Sequence, residues 1–301
     1  MHSKTEEIRI TVFTPTYNRG YIIENLYRSL QRQTYRKFEW LVVDDGSVDD
    51  TESKFAMFMA EENDFSIRYI KTENGGKHRA INRGVKEAKG ALFFIVDSDD
   101  YIVDDALEWI DKIEASLPVD EHSFGGVCGL RGYSEEHLIG TTFGGDILDI
   151  TSLERDKYRI TGDKSEVFYT DILRRYPFPE FEGERFVTEC VVWDRIAADG
   201  YKMRFYNHIT IICKYLEDGL TRSGASLFLK NPKGYGLYLY QEVKFGKISR
   251  KEKWDNYYHY FYTYRHQFSL SEISENLHVH PVTLWLGLLP RRIMEKLEKR
   301  K

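Results

Sequence analysis

Apolar and polar positions follow two rhythms over the first hundred residues. Short apolar runs at Ile8 to Thr14, Phe38 to Val43, Ile67 to Lys71 and Ala91 to Val96 predict strands. Between them, apolar residues recur at helical spacing, as in Ile22, Ile23, Leu26 and Leu30, and further helices are predicted over Lys54 to Ala60 and Arg79 to Ala88. Strand alternating with helix is the pattern of repeated βαβ units, so the fold class is α/β with a mostly parallel central sheet flanked by helices. Ala91 to Val96 is apolar throughout, which places it mid-sheet with both faces covered.

From Ser116 to Gly145 the pattern loosens, with a strand fragment at Val127 to Arg131 and a loop at Gly144-Gly145. Val167 to Leu173 and Phe186 to Ala198 read as helices, and Arg204 to Tyr215 as a strand. Beyond Leu220 the chain turns aromatic, with Tyr235, Tyr238 and Tyr240 and then Trp254, Tyr257, Tyr258, Tyr260, Phe261, Tyr262 and Tyr264. These predict a helical C-terminal extension over 221–301, after a domain of residues 1–220 that divides at about residue 115.

Composition narrows the classes of function. With 43 basic and 48 acidic residues among 301, the net charge of -5 argues against nucleic acid as the main partner. Cys128, Cys190 and Cys213 lie far apart without metal-ligand spacing, which fits a reducing compartment. The start of the chain has no signal-like apolar stretch, and no window reaches the roughly 20 apolar residues of a membrane span, so a cytoplasmic protein is expected. Pro281 to Lys301 mixes Leu284, Trp285, Leu288, Leu289, Ile293, Met294 and Leu297 with Arg291, Arg292, Lys296, Lys299, Arg300 and Lys301. Such a basic amphipathic helix suits either peripheral contact with the inner face of a cell membrane or docking on the protein's own core with a solvated basic edge.

Candidate chemistry gathers at the strand ends, where open parallel sheets bind ligands. Thr14-Pro15-Thr16-Tyr17-Asn18, Asp44-Asp45-Gly46-Ser47 and Asp97-Ser98-Asp99-Asp100 all stand there. The phosphate loops GxGxxG and GxxxxGK[ST] are missing, which speaks against dinucleotide dehydrogenases and P-loop enzymes. Asp97 and Asp99, two residues apart at the end of a buried strand, suit Mn2+ or Mg2+ bridging a diphosphate.

The succession TPTYNR, VVDDGSVDDT, ENGGKHRAINRG and AKGALFFIVDSDD resembles the family 2 glycosyltransferases of GT-A fold, over residues 8 to about 110. That resemblance implies that Thr14, Pro15, Tyr17 and Asp44 contact a nucleotide, that Lys77 or Arg79 lies near base or phosphate, and that Asp97 and Ser98 border the same ligand. It makes Asp97 and Asp99 the Asp-x-Asp motif, with Asp99 the direct metal ligand. Family members carry a Glu-Asp pair four residues before a Trp, the Asp being the base. Here Thr188-Glu189 precedes Trp193, so Glu189 takes that position with one extra methylene, and Glu182 and Glu184 are its rivals.

The implied activity is inverting transfer from an NDP-sugar, a UDP-hexose or UDP-N-acetylhexosamine, to a hydroxyl of a glycan or lipid-linked saccharide in bacterial surface polysaccharide assembly. Without a QxxRW signature, one sugar per encounter is expected rather than processive synthesis. A nucleotidylyltransferase and a non-catalytic sugar-nucleotide or carbohydrate-binding protein are the alternatives. Three further readings stay open: His78 as a surface residue or a diphosphate contact, Gly162-Asp163-Lys164 as a plain turn or part of acceptor recognition, and the Arg222-Ser223 neighbourhood as a loop over the diphosphate.

Overall fold

A computed structural model describes residues 7–118, 123–214, 216 and 224–298. The first four strands, β1 (Ile10–Thr16), β2 (Phe38–Asp44), β3 (Ser66–Lys71) and β4 (Leu92–Ile95), are parallel and lie in the order β3-β2-β1-β4. The chain runs outward from β1 to β3 through helices α1 (Glu24–Gln31) and α2 (Thr51–Ala60). It then returns through α3 (Lys77–Glu87) to the other side of β1. The strand order therefore reverses between β1 and β4, which opens a crevice at their carboxyl ends.

Beyond β4 the sheet becomes mixed. It takes in β5 (Tyr101–Ile102), α4 (Ala106–Ala115), β6 (Phe124–Ser134), β7 (His137–Leu138), β8 (Ile147–Ile150) and, after a 3-10 turn at Ser152–Tyr158, β9 (Lys164–Tyr169). Next come α5 (Thr170–Arg175), α6 (Cys190–Ala198) and β10 (Lys202–Ile212). The helix expected over 167–173 is instead the end of β9 followed by α5. β9 inserts antiparallel between β4 and β6, pairing Phe168 with Phe93 and Val167 with Val127. Those buried pairs and their ladder override the helical spacing, which resumes only at Ile172 and Leu173. Likewise the helix expected from Phe186 starts at Cys190. The β6 backbone comes so close to β9 that a Cβ on Gly126, at φ 150°, would stand 1.9 Å from the Val167 carbonyl oxygen.

Alternation along β1 and β2 divides the core. Val12, Trp40 and Val42 face α1, α2 and α4 and pack with Leu26, Tyr27, Phe55, Phe58 and Ile110. Phe13, Leu41 and Val43 face α3, α5 and α6, meeting Ile81, Val85, Ile172, Val192 and Ile196.

Among the described residues five helices follow: α7 (Ala225–Lys230), α8 (Pro232–Lys244), α9 (Arg250–Tyr264), α10 (Leu270–Asn276) and α11 (Pro281–Glu298). They enclose their own cluster around Leu239, Tyr257, Tyr260, Tyr264, Ile273 and Leu277. Leu284 and Leu288 of α11 are buried in that cluster, while Val282, Trp285 and Leu286 are exposed. Two of the residues read as a membrane face are thus internal, and Lys299 to Lys301 lie outside the described residues. No helix among the described residues is long and apolar enough to cross a membrane.

Candidate active site

Register aligns the ends of the parallel strands: Thr16 pairs with Asp44, and Asp44 with Lys71. Short side chains then tie the loops together. The Asp44 carboxylate accepts from the Ser47 N–H at 2.7 Å and from the Tyr69 hydroxyl. Ser47 Oγ accepts from the Asn18 N–H at 2.8 Å, and Asn18 Oδ1 accepts from the Val48 N–H at 2.9 Å. Asp45 spans further, taking the Gly75 and Gly76 N–H groups at 2.7 and 2.8 Å. Burial pushes its carboxyl upward even against those two donors. The polar turn after β2 is therefore a hub that holds the loops after β1 and β3 in place.

The acidic end of β4 sits across the crevice. Burial alone would raise the Asp97 carboxyl, but Lys77 and Arg131 outweigh it and hold Asp97 below the usual carboxylate range. Lys77 Nζ is 2.7 Å from Asp97, and Arg131 approaches it to 3.9 Å. Asp99 has no ion-pair partner among the described residues; burial and the nearby Asp97 charge raise its carboxyl. Asp100 accepts from Arg131 at 3.3 Å and from the Lys214 N–H at 3.1 Å, and burial with the Asp97 charge pushes it up to about 7. Two half-buried carboxylates side by side, one without an ion-pair partner among the described residues, make a donor set that a hard divalent ion satisfies, with phosphate and water completing its shell. No cage of three or more His, Cys, Asp or Glu side chains exists among the described residues.

Lys77 is the centre of this crevice. Its ammonium contacts Asp97 at 2.7 Å and Glu189, at the start of α6, at 2.8 Å. Burial works against the charge, but the two carboxylates prevail and raise Lys77 above the ordinary lysine range. One nitrogen thus joins the expected metal end of the site to the expected base, although the two carboxylates are 92 positions apart in sequence.

The other expected residues divide sharply. Tyr17 is exposed and Pro15 and Ser98 line the strand ends, with Ser98 buried. Thr14, by contrast, is fully buried, and its hydroxyl accepts from the Trp40 indole N–H at 3.0 Å. It faces the core because position 14 shares the face of Val12 and Trp40. Both Asp44 oxygens are likewise committed to protein donors.

Arg79 points away from the crevice. It donates to the carbonyls of Gly75, Phe181 and Glu184 at 2.6, 2.7 and 2.5 Å, fastening the 177–189 loop onto α3. His78 is 1% exposed, with both ring nitrogens unpartnered, and burial lowers it to about 4. It therefore sits inside the protein as a neutral ring, not beside a diphosphate. Lys164 is also internal: its ammonium donates to the Thr161 carbonyl at 2.5 Å, and burial lowers its pKa, so it staples the loop it stands on. Arg222 and Ser223 lie outside the described residues.

Of the rival carboxylates, Glu184 is buried and accepts the Lys233 and Gly234 N–H groups at 2.7 and 2.9 Å, capping α8. Glu182 is exposed. Sequence reasoning missed Arg131, whose lone position within a strand gave no sign that it reaches the β4 end.

The model for "Glycosyl transferase family 2" matches residues 11–129. The chain is 29% identical to the glycosyltransferase GlyA of Streptococcus pneumoniae over 64% of its own length and 27% of GlyA. It is 27% identical to the GalNAc(5)-diNAcBac-PP-undecaprenol beta-1,3-glucosyltransferase of Campylobacter jejuni, over 66% of this chain and 62% of that one. The chain thus spans about a quarter of one relative and under two thirds of the other. Among solved structures, S. aureus TarS 1-349 in complex with UDP-GlcNAc superposes with a TM-score of 0.57 at 20% identity, covering 86% of this chain and 73% of TarS 1-349. That likeness shows the fold. Over residues 11–129 the chain thus matches the glycosyl transferase family 2 model, and it has a GT-A fold.

Proposed function

We propose that the chain transfers a hexose or N-acetylhexosamine, with inversion, from a UDP-sugar to a hydroxyl of a glycan or lipid-linked saccharide in bacterial surface polysaccharide assembly. Residues 1–220 are the catalytic domain, with a nucleotide-binding half over 1–115 and an acceptor and base half over 116–220; residues 221–301 are the helical extension. The observation that carries this reading is the Lys77 bridge, which puts Glu189 and Asp97 on one nitrogen. The Campylobacter relative's name, with an undecaprenol-linked saccharide in it, supports the acceptor class, and the UDP-GlcNAc complex of TarS supports the donor class.

Asp97 and Asp99 would hold Mn2+ or Mg2+, which supplies positive charge for the departing nucleoside diphosphate. Tyr17 and the loops pinned by Asp44 and Asp45 receive the nucleotide. Lys77 adds a fixed positive charge between the phosphate end and the acceptor side. Glu189 takes the acceptor hydroxyl proton as the new glycosidic bond forms and the bond to the diphosphate breaks.

Glu189→Gln keeps size and polarity while removing the base. UDP release from UDP-N-acetylglucosamine or UDP-glucose should fall by about 10²- to 10⁴-fold with donor affinity retained. Unchanged turnover would remove Glu189 from the mechanism, and a wild-type protein that binds donor without turnover would support the non-catalytic alternative.

A further inference from the structure

The segment from Pro177 to Thr188 has no helix or strand, yet it delivers Glu189 to the crevice. Its first part is fastened to α3: Asn82 exchanges hydrogen bonds with Phe178 at 2.8 and 3.0 Å, and Arg79 takes the Phe181 and Glu184 carbonyls. Its last part is fastened elsewhere. Asn231 Oδ1 accepts from both the Arg185 and Phe186 N–H groups, at 2.8 and 3.1 Å. Glu184 reaches the opposite way to cap α8 through Lys233 and Gly234.

The two contacts are reciprocal. The loop gives a carboxylate to the positive end of α8, and the residue preceding α8 gives an oxygen to the loop. Asn231 is itself held, donating to the Leu227 carbonyl at 2.6 Å. The approach is tight enough that a Cβ on Gly234 would stand 2.7 Å from the Phe186 carbonyl oxygen, and one on Gly76 only 1.9 Å from that of Arg185. Val187 is then buried in the core, two residues before Glu189.

We propose that the C-terminal helices set the catalytic geometry, with Glu184 and Asn231 as positioning residues that place Glu189 through this reciprocal clamp. The proposal rests on Glu189 being the base. The extension is then part of the catalytic apparatus, because the last clamps before the base come from the backbone N–H groups of α8 and the side chain of Asn231 preceding it.

The test compares Asn231→Ala, Glu184→Gln and Glu184→Ala in the full chain by two readouts. Hydrogen exchange at Val191, Val192 and Trp193, whose N–H groups close the first turn of α6, should quicken about tenfold in Asn231→Ala and Glu184→Ala, while amides in β1 and β2 keep their protection. Turnover of UDP-N-acetylglucosamine or UDP-glucose should fall by about 100-fold in those variants with UDP affinity unchanged, and Glu184→Gln, which keeps one acceptor oxygen, should lie between. Unchanged exchange at 191–193 would overturn the clamp. If Glu189→Gln leaves turnover intact while exchange responds as expected, the base assignment fails and the clamp stands as a fold contact only.

Discussion

At Thr14 the hydroxyl that a strand-end motif offers to a ligand is already taken by the Trp40 indole. Thr14→Val keeps the shape of the side chain but leaves that buried N–H unsatisfied. Stability to urea should fall by about 1–3 kcal/mol, with UDP affinity unchanged. A loss of UDP binding without a loss of stability would return Thr14 to the nucleotide site. The same logic separates the other residues that a linear motif groups together. Alternation sends position 14 to the core and leaves Tyr17 in solvent, and the helical face occupied by Lys77 turns Arg79 toward the 177–189 loop. The sequence shows which loops meet; which side chain in each loop is free depends on partners distant in sequence, such as Trp40, Tyr69 and Glu184.

Among the elements, α3 has the most varied duties. Lys77 enters the crevice, Arg79 and Asn82 hold the loop that leads to Glu189, and His78 is sealed between them among the charges of Arg79, Glu180 and Glu189. Burial lowers the His78 pKa from 6.5 to about 4. Above pH 6.5 both folded and unfolded forms hold a neutral ring, so the shift has no effect there. Between about 6.5 and 4 the unfolded chain binds a proton that the folded chain refuses, and stability is lost as pH falls through that window. The full effect is on the order of 3 kcal/mol. Chemical denaturation of wild type and His78→Leu at pH 7.5 and 5 should show a smaller acid loss in the variant; equal losses would mean that His78 is not the source. The strands β1 to β4 were legible within a residue or two because their apolar runs are unambiguous. β9 was not, since Val167 to Leu173 fits a helix locally and only pairing with β4 and β6 makes it a strand.

On the scale of the whole molecule, a parallel half carries the strand-end motifs, a mixed half carries the proposed base, and a helical extension grips the loop between them. The motif order announced the first half because βαβ units place their functional loops in sequence. The second half has no such rule: Glu189 is proposed as the base from its spacing before Trp193, and Glu184 stood as a rival until its two bonds to α8 appeared. The C-terminal aromatics were read correctly as helical, but nothing in their pattern foretold Asn231.

A metal-assisted nucleoside diphosphate site at the β1/β4 crevice is open to calorimetry, with UDP, GDP, CDP and dTDP each titrated in Mn2+ and in EDTA into wild type and Asp99→Ala. UDP should bind with Mn2+, and both chelation and the substitution should abolish or severely weaken that binding. Binding of none of the four diphosphates, or UDP binding indifferent to both EDTA and Asp99→Ala, would contradict such a site.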